Sequence, residues 1–463
     1  MDLTTLAEQN IWWQLPENIS ADPAIIALNE MQYVWEPHLL EAFDLNADLV
    51  YILKGPRQVG KTTLLKSLVK KLLRERIFHR NIFYFSCNLI DTYQELVEVL
   101  NLYLGWIRSR NDQRVLILVD EISFVKDWQR AIKHFADLGK FKNATLVLTG
   151  SHAVDIKKSS ERLPGRRGKS EKMDKLLLPM TFQDYVRTVA PMLFDKIELF
   201  DLVDFDAPKI LDLAIYQQEI DRHFQNYLLT GGFPLSVNAL NAKQSIPPYI
   251  YHTYLQWIIG DLAKLGKQEH YFKQISRKLL ESLTTPLSWQ AIFKTSDIGS
   301  HNTVIEYIDH LKSSFILSIF FCLDMNSRLP AYRKNKKIYF ADPFIYHTLH
   351  AWIKDSPVPF QLAEKEIFDS VKASKLVEST VGIHLVRNFG KVYYWQNRKE
   401  IDFVLVVNGK IIPVEVKYRG SVPYAELTHL KKFHKAIVVT QSQLKLEKNT
   451  LFIPACLFCL LIS

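Results

Sequence analysis

The sequence predicts an α/β protein: a parallel sheet around a phosphate site, a largely helical middle, and a second α/β part at the C-terminal end. Three observations predict it. Gly55-Pro56-Arg57-Gln58-Val59-Gly60-Lys61-Thr62 fits G-x-x-x-x-G-K-[ST] between a strand-length apolar run, Leu49–Leu53, and leucines at helical spacing from Thr63 to Leu73. The apolar run Val115–Val119 ends in Asp120-Glu121. A hairpin pattern over Ile401–Lys417 carries Asp402, Glu415 and Lys417.

The composition sets the frame. A chain of 463 residues exceeds one ordinary core, and 48% hydrophobic with 23% charged residues reads as soluble and globular. The net charge of +9 favours anionic partners, nucleic acid first. Four cysteines fit a reduced cytoplasmic protein better than a disulfide scaffold. Cys456 and Cys459 form a lone C-x-x-C in an apolar tail, which reads as buried thiols because zinc needs four ligands. The N-terminus shows no basic-then-apolar leader, and no apolar stretch is long enough for a bilayer, so no membrane association is expected.

In the first motif the glycines let backbone N–H groups close around phosphate oxygens, and the helix N-terminus adds a favourable dipole. Gly55 through Thr63 form the candidate nucleotide-binding stretch; Lys61 is placed to reach the β- and γ-phosphates and Thr62 to hold Mg²⁺, with ATP as the cofactor. Ile82–Ser86 reads as the next strand. A buried parallel strand at Val115–Val119 delivers Asp120 and Glu121 to the edge of the sheet where ligands bind. Asp120 is the candidate Mg²⁺ residue and Glu121 the candidate base for the attacking water. Ala144–Gly150 reads as a further buried strand, with Thr149 or Ser151 facing the γ-phosphate or the water. A basic stretch follows, with Lys157, Lys158, Arg162, Arg166, Arg167, Lys169, Lys172 and Lys175.

Four segments in this region carry a family resemblance: Thr149-Gly150-Ser151, Leu163-Pro164-Gly165-Arg166, Leu178-Pro179-Met180-Thr181-Phe182 and Leu228-Leu229-Thr230-Gly231-Gly232-Phe233-Pro234. Together they resemble a large prokaryotic group of AAA+ P-loop ATPases with an uncharacterised C-terminal domain of the PD-(D/E)XK nuclease type. The resemblance runs from about residue 35 to the end. It implies an arginine finger at Arg166, with Arg167 the neighbouring alternative. Such a finger completes the site of another subunit, so a homo-oligomer is implied, and AAA+ analogy suggests a hexameric ring. The organisation expected is an N-terminal segment (1–34), an AAA+ core (35–180), a helical lid (181–242), a winged helix-turn-helix (243–345) and a nuclease-like domain (346–463).

The winged segment rests on order. Leu287–Lys294 and Ser300–Leu311 read as two helices, and Phe315–Leu323 and Lys337–Phe340 as a β-hairpin. The connector carries Arg328, Arg333, Lys334 and Lys336. Lys294, His301, Asn302 and this basic wing are the expected contacts to double-stranded or branched DNA.

In the last domain Asn408-Gly409 between β-branched runs is a two-residue hairpin signal. Its register pairs Val407 with Lys410 and sets Asp402 opposite Glu415, with Lys417 on the same face. A divalent cation is one reason for two carboxylates to face each other. Asp402 and Glu415, with the Val416 carbonyl, are the candidate metal site, and Lys417 is the candidate group beside an attacking water. The D-x₁₂-E-x-K pattern resembles the PD-(D/E)XK core, although Ile401 stands where that pattern has proline. Lys375–Leu385 resembles the first helix of that fold, which adds Glu378 to the acidic group. The function expected is ATP hydrolysis coupled to DNA processing by a Mg²⁺-dependent nuclease. The alternative is a nucleotide-dependent switch whose last domain binds without cutting.

Overall fold

The computed structural model describes residues 1–75, 77–110, 112–150, 163, 165–168, 170, 172–199 and 207–462. The chain divides into two compact units, Met1–Leu178 and Pro179–Ser463.

The first unit is built on a parallel sheet. Its strands are β1 (Val50–Lys54), β2 (Ile82–Ser86), β3 (Val115–Asp120), β4 (Ala144–Gly150) and β5 (Asp174–Leu176), in the order β2-β3-β4-β1-β5. Strands β3 and β4 are buried along their whole length, which is why they read as continuous apolar runs. The phosphate loop leaves the end of β1 and enters helix Lys61–Arg74. Two glycines are needed there. A Cβ on Gly55 would stand 2.1 Å from the Leu177 carbonyl oxygen, and Gly60 has φ +98°.

The N-terminal segment is part of this unit, not a separate piece. Leu6, Trp12 and Ile25 are fully buried. Its polar side chains meet the outer edge of β2. Asn10 Oδ1 accepts from Tyr84 N–H (2.7 Å) and Asn10 Nδ2 donates to the Tyr84 carbonyl (2.9 Å). Gln9 Oε1 accepts from Ser86 N–H at 2.8 Å, and both Trp12 and Trp13 donate their indole N–H to the Ile82 carbonyl. Lys66, on the inner face of helix Lys61–Arg74, pairs with Asp22 at 2.9 Å, and its ammonium lies 3.5 Å from the centre of the Tyr84 ring. Burial pushes the Lys66 pKa down, and Asp22 opposes that shift.

The second unit centres on an eight-stranded mixed sheet. Its strands are β6 (Leu317–Cys322), β7 (Lys336–Phe340), β8 (Tyr393–Gln396), β9 (Glu400–Val407), β10 (Lys410–Lys417), β11 (Ala436–Thr440), β12 (Lys445–Glu447) and β13 (Thr450–Pro454). Their order is β12-β13-β11-β10-β9-β8-β6-β7. Helix Ser370–Phe389 crosses the sheet, and a Cβ on Gly382 would come within 2.7 Å of the Phe403 ring. Helix Ala455–Leu461 is apolar and buried, with Cys456 and Cys459 inside it.

Two expected boundaries are corrected. The hairpin β6–β7 forms as the strand pattern predicts, but it is not a free wing. Strand β6 also pairs in parallel with β8, so the hairpin is an edge of the C-terminal sheet and no boundary falls at 345. The helices expected as a lid belong to the second unit. Phe182 N–H donates to His384 Nε2 at 2.9 Å, and Tyr227 donates its hydroxyl to the Met180 carbonyl at 2.9 Å. The T-G-G-F-P run explains itself here. Gly231, at φ +55° and ψ −153°, would place a Cβ 1.7 Å from Asp342 Oδ1, and Gly232 N–H donates to Asp342 Oδ2 at 2.8 Å. Among the described residues no helix is long and apolar enough to cross a membrane.

Candidate functional site

The first site lies where β1, β3 and β4 end beside helix Lys61–Arg74. Lys61 is 5% exposed, and its ammonium donates to the carbonyls of Gly55 (3.0 Å) and Pro56 (2.9 Å) in the loop it follows. Thr62 donates its hydroxyl to Asp120 Oδ2 at 2.6 Å. Tyr84, from the neighbouring β2, donates to the same oxygen at 2.9 Å. Thr149 donates to Asp120 Oδ1, and the same hydroxyl accepts from the Glu121 N–H at 2.9 Å. A carboxylate that is 3% exposed therefore holds three hydroxyl donors, which satisfies a group too costly to bury alone.

Glu121 sits at φ +51° and ψ +46°, a left-handed conformation that a glutamate seldom adopts. The turn places its Oε1 3.9 Å from Lys61 Nζ, so the candidate base and the phosphate-loop lysine face one space.

Thr149, expected near the γ-phosphate or the water, is fully buried, and its hydroxyl bridges Asp120 and the Glu121 backbone, tying the two acidic residues together. Ser151, Lys157, Lys158, Arg162 and Lys169 lie outside the described residues.

The two arginines have different surroundings. Arg167 is anchored to β1: its carbonyl accepts from Val50 N–H (3.0 Å), its Nε donates to the Val50 carbonyl (3.1 Å), and its guanidinium pairs with Asp174 at 2.6 Å. The Arg166 side chain is 31% exposed and pairs with Asp137 at 2.6 Å, which holds that carboxyl below the usual range. Both lie beside Val50, the first residue of β1, whereas the phosphate loop follows Lys54. Four residue steps along β1 separate these ends by about 13 Å, so the Arg166 side chain, held at Asp137, is not beside the phosphate loop of its own chain; the Arg167 guanidinium shares Asp174 with Lys54, the residue before that loop.

The second candidate site is on the C-terminal sheet. Asn408 and Gly409 both have positive φ, as a two-residue turn requires. The pairs Lys410↔Val407 through Val414↔Phe403 follow the register the turn sets. At the next step side chains replace the ladder. Asp402 N–H donates to Glu415 Oε2 at 3.4 Å, and Val416 N–H donates to Asp402 Oδ2 at 2.9 Å. Lys417 Nζ donates to Glu415 Oε1 at 2.8 Å. Burial works against the Lys417 charge, but Glu415 and Asp402 outweigh it and raise its pKa.

Glu378 joins this group through a residue the motif does not contain. Lys337, from β7, is fully buried, and its ammonium contacts Glu378 Oε1 (3.0 Å), Asp402 Oδ1 (3.0 Å) and Glu400 Oε1 (2.6 Å). Tyr339, two residues along the same strand face, donates its hydroxyl to Glu378 Oε1 at 2.7 Å. Burial, and then the Asp402 charge, push Glu378 up to about 7. His429 Nε2 stands 3.8 Å from Glu415 Oε1.

The structure therefore brings Asp402, Glu415, Lys417 and Glu378 together and adds Lys337, Glu400, Tyr339 and His429. The alternation of Lys337 and Tyr339 in a short strand was the one signal available. The expected metal site pairs Asp402 and Glu415 with the Val416 carbonyl. Among the described residues no group of three or more His, Cys, Asp or Glu side chains is gathered as a metal site. In this structure each of the two carboxylates meets an ammonium group, Lys337 on Asp402 and Lys417 on Glu415.

Beside this site the basic side chains converge. Arg328 in the β6–β7 connector donates to the Gly409 carbonyl at 2.7 Å, and Lys334 reaches the Gln396 carbonyl at 3.5 Å. The connector therefore meets the turn that carries Arg398 and Lys399 and the hairpin tip that carries Lys410. Arg333, Lys334, Arg398, Lys399 and Lys410 are all exposed.

Comparison with known proteins agrees with the first unit. Residues 47–186 match the family described as an AAA domain, residues 221–356 match a domain of unknown function (DUF8612), and residues 373–458 match another (DUF4143). A comparison with curated proteins finds no match. Among solved structures, the chain is similar to a Walker-type ATPase of Pyrococcus abyssi, at 15% identity and TM-score 0.41, over 65% of this chain and 91% of that one. It is similar to the ORC1 protein of Aeropyrum pernix in complex with DNA, at 14% identity and TM-score 0.32, over 75% and 96%. A RuvB variant of Thermotoga maritima gives 15% identity and TM-score 0.27, over 65% and 88%. With the phosphate loop, the Asp120-Glu121 strand end and the all-parallel sheet in place, residues 47–186 form an AAA-type P-loop ATPase domain.

Proposed function

We propose that this protein hydrolyses ATP as a homo-oligomer and uses the cycle to change how its second unit engages DNA. One observation carries the reading: the hydrogen-bonded set Thr62–Asp120–Thr149–Glu121 at the end of the parallel sheet, beside a lysine held in the phosphate loop. The residues present fit Mg²⁺ and nucleotide. Thr62 and Asp120 are the pair that would hold the ion, and Lys61 with the loop N–H groups would hold the phosphates. Bound Mg²⁺–ATP supplies the phosphoanhydride and part of the charge neutralisation. Glu121 takes the proton of the attacking water, and Asp120 is kept in place by Tyr84 and Thr149 when the Thr62 hydroxyl is committed to the ion. Arg166 acts on the nucleotide of a neighbouring copy, an assignment its distance from the loop of its own chain supports.

The DNA reading rests on the basic rim of Arg333, Lys334, Arg398, Lys399 and Lys410. Lys294, His301 and Asn302 remain candidate contacts from the helices. In this reading the nuclease-like centre binds without cutting. A second reading, Mg²⁺-dependent cleavage of branched or broken DNA, is favoured by the convergence of Asp402, Glu415, Lys417 and Glu378. Incubating plasmid, branched and single-stranded DNA with Mg²⁺ or Mn²⁺ separates the two, since strand breaks that vanish in Asp402→Asn would establish cleavage.

The ATPase assignment is tested with Glu121→Gln, which keeps the shape but cannot accept a proton. Nucleotide binding should persist while turnover falls at least about a hundredfold, the usual share of a general base. Lys61→Ala should lose turnover altogether. A Glu121→Gln protein with wild-type turnover would remove Glu121 from the mechanism.

A further inference from the structure

The carboxylates of the second unit are arranged around a cation that the chain itself supplies. An ammonium has three N–H donors, and Lys337 Nζ has three carboxylate oxygens within 2.6–3.0 Å, one each from Glu378, Glu400 and Asp402. The other Asp402 oxygen is used by Val416 N–H, and Glu415 Oε1 is used by Lys417. Magnesium needs near-octahedral oxygen ligands at short range. Here one oxygen each of Glu378, Glu400 and Glu415 and both oxygens of Asp402 already meet N–H donors.

We propose that Lys337 takes the place of a divalent cation in this nuclease-like centre, so that the resting protein carries a lysine-neutralised, metal-free site. The inference rests on the nuclease-like reading of the second unit given above.

Three features make Lys337 a resident and not a passing neighbour. Its side chain is completely sealed from solvent. Its strand is fixed in the sheet, with Lys337 paired across to Phe320. Tyr339, on the same strand face, donates to the Glu378 oxygen that Lys337 also contacts, so one strand supplies two donors to one carboxylate. An ion entering this space would have to expel a buried ammonium from its three carboxylate partners. The cost of leaving a buried charge unpaired opposes that exchange. The same packing explains how four acidic residues, Glu378 on helix Ser370–Phe389 and Glu400, Asp402 and Glu415 on the strands, coexist in one largely buried cluster: each contacts a lysine ammonium.

The test is a gain of metal binding. Full-length protein in an Asp120→Asn background, without nucleotide, removes the acidic ligand of the ATPase site in every arm. Mn²⁺ uptake is then read by equilibrium dialysis or by the loss of the free-ion electron paramagnetic resonance signal. With Lys337 intact, no ion should bind at millimolar Mn²⁺. Lys337→Met should take up one Mn²⁺ per chain, and adding Asp402→Asn should abolish that uptake. If Lys337→Met folds only when Mn²⁺ is present, the ion has replaced the ammonium and the proposal stands. If it does not fold under either condition, Lys337→Met with Glu378→Gln relieves one charge, and Asp402-dependent uptake by that variant supports the proposal while no uptake overturns it. Asp402-dependent Mn²⁺ binding with Lys337 intact, or a folded Lys337→Met protein that stays metal-free, also overturns it. DNA binding measured on the same samples without Mn²⁺ reports on the nuclease-like reading separately, because it does not depend on uptake of the ion.

Discussion

Tyr84→Phe deletes a single hydroxyl from the ATPase site. The ring stays, and with it the Lys66 ammonium that lies 3.5 Å from its centre. What is lost is the 2.9 Å bond to Asp120 Oδ2. A hydrogen bond to a charged group contributes about 1.5–3 kcal/mol, and Asp120 is too buried for water to replace it readily. In a unit of this size, about 2 kcal/mol corresponds to a fall of roughly 4–8 °C in the midpoint of the transition that nucleotide shifts. The catalytic effect should be larger with the ion bound than without it. Once Thr62 serves Mg²⁺, Asp120 keeps only Tyr84 and Thr149, so the variant loses one of two supports where the free protein loses one of three. We expect the Mg²⁺ concentration for half-maximal turnover to rise about tenfold, the equivalent of about 1.4 kcal/mol. The assay is ATP turnover across a Mg²⁺ titration, beside Tyr103→Phe. Tyr103 is another buried tyrosine of this unit, but its hydroxyl meets the Arg80 carbonyl. Tyr103→Phe should change stability only. A Tyr84→Phe protein with wild-type midpoint and Mg²⁺ dependence would refute the claim that this hydroxyl holds Asp120.

The remaining predictions concern assembly, DNA and the core. Mixing inactive Lys61→Ala chains with inactive Arg166→Ala chains should restore some turnover, because a fraction of interfaces pairs an intact loop with an intact arginine; full turnover by an isolated monomer would exclude the trans role. Arg333→Glu with Lys334→Glu should weaken DNA binding alike for many sequences and flatten its dependence on salt, read from binding isotherms at several salt concentrations. If affinity and slope stay as in wild type, the basic rim does not contact DNA. Gly231→Ala puts a Cβ 1.7 Å from Asp342 Oδ1 at a backbone conformation suited to glycine, so a loss of more than about 3 kcal/mol is expected. Thermal unfolding of the purified variant at the wild-type midpoint would contradict it.

The phosphate loop and the Asp120-Glu121 strand end were legible because each is a contiguous run whose neighbours already declare strand, turn and helix. The last hairpin was legible for a similar reason, since Asn408-Gly409 fixes the register and the register fixes which side chains face each other. What escaped was set by pairing between distant segments. The parallel contact of Phe321 with Tyr393 joins the supposed wing to the C-terminal sheet, and no local pattern announces it. Lys337 went unassigned in consequence, as it read only as the first residue of a hairpin strand. Tyr84 looked like a core aromatic of β2, because its hydroxyl finds Asp120 only when β2 and β3 lie side by side. The helices between 181 and 242 carry apolar faces that fit more than one partner, and their tie to Asp342, His384 and Arg387 depends on backbone groups that a sequence does not display.

The side chains that dress the outer edge of β2 have a consequence for assembly. An uncovered edge strand is a template for another chain, and here Gln9, Asn10, Trp12 and Trp13 take the bonds that a stranger would need. Copies of this protein therefore cannot join by extending that sheet through β2, and an oligomer must be made through other surfaces. Removing the first fifteen or so residues would leave a nucleotide site with all its motif residues and a bare, apolar strand beside it. Such a truncation would look harmless in an alignment of motifs and would be expected to precipitate in the tube.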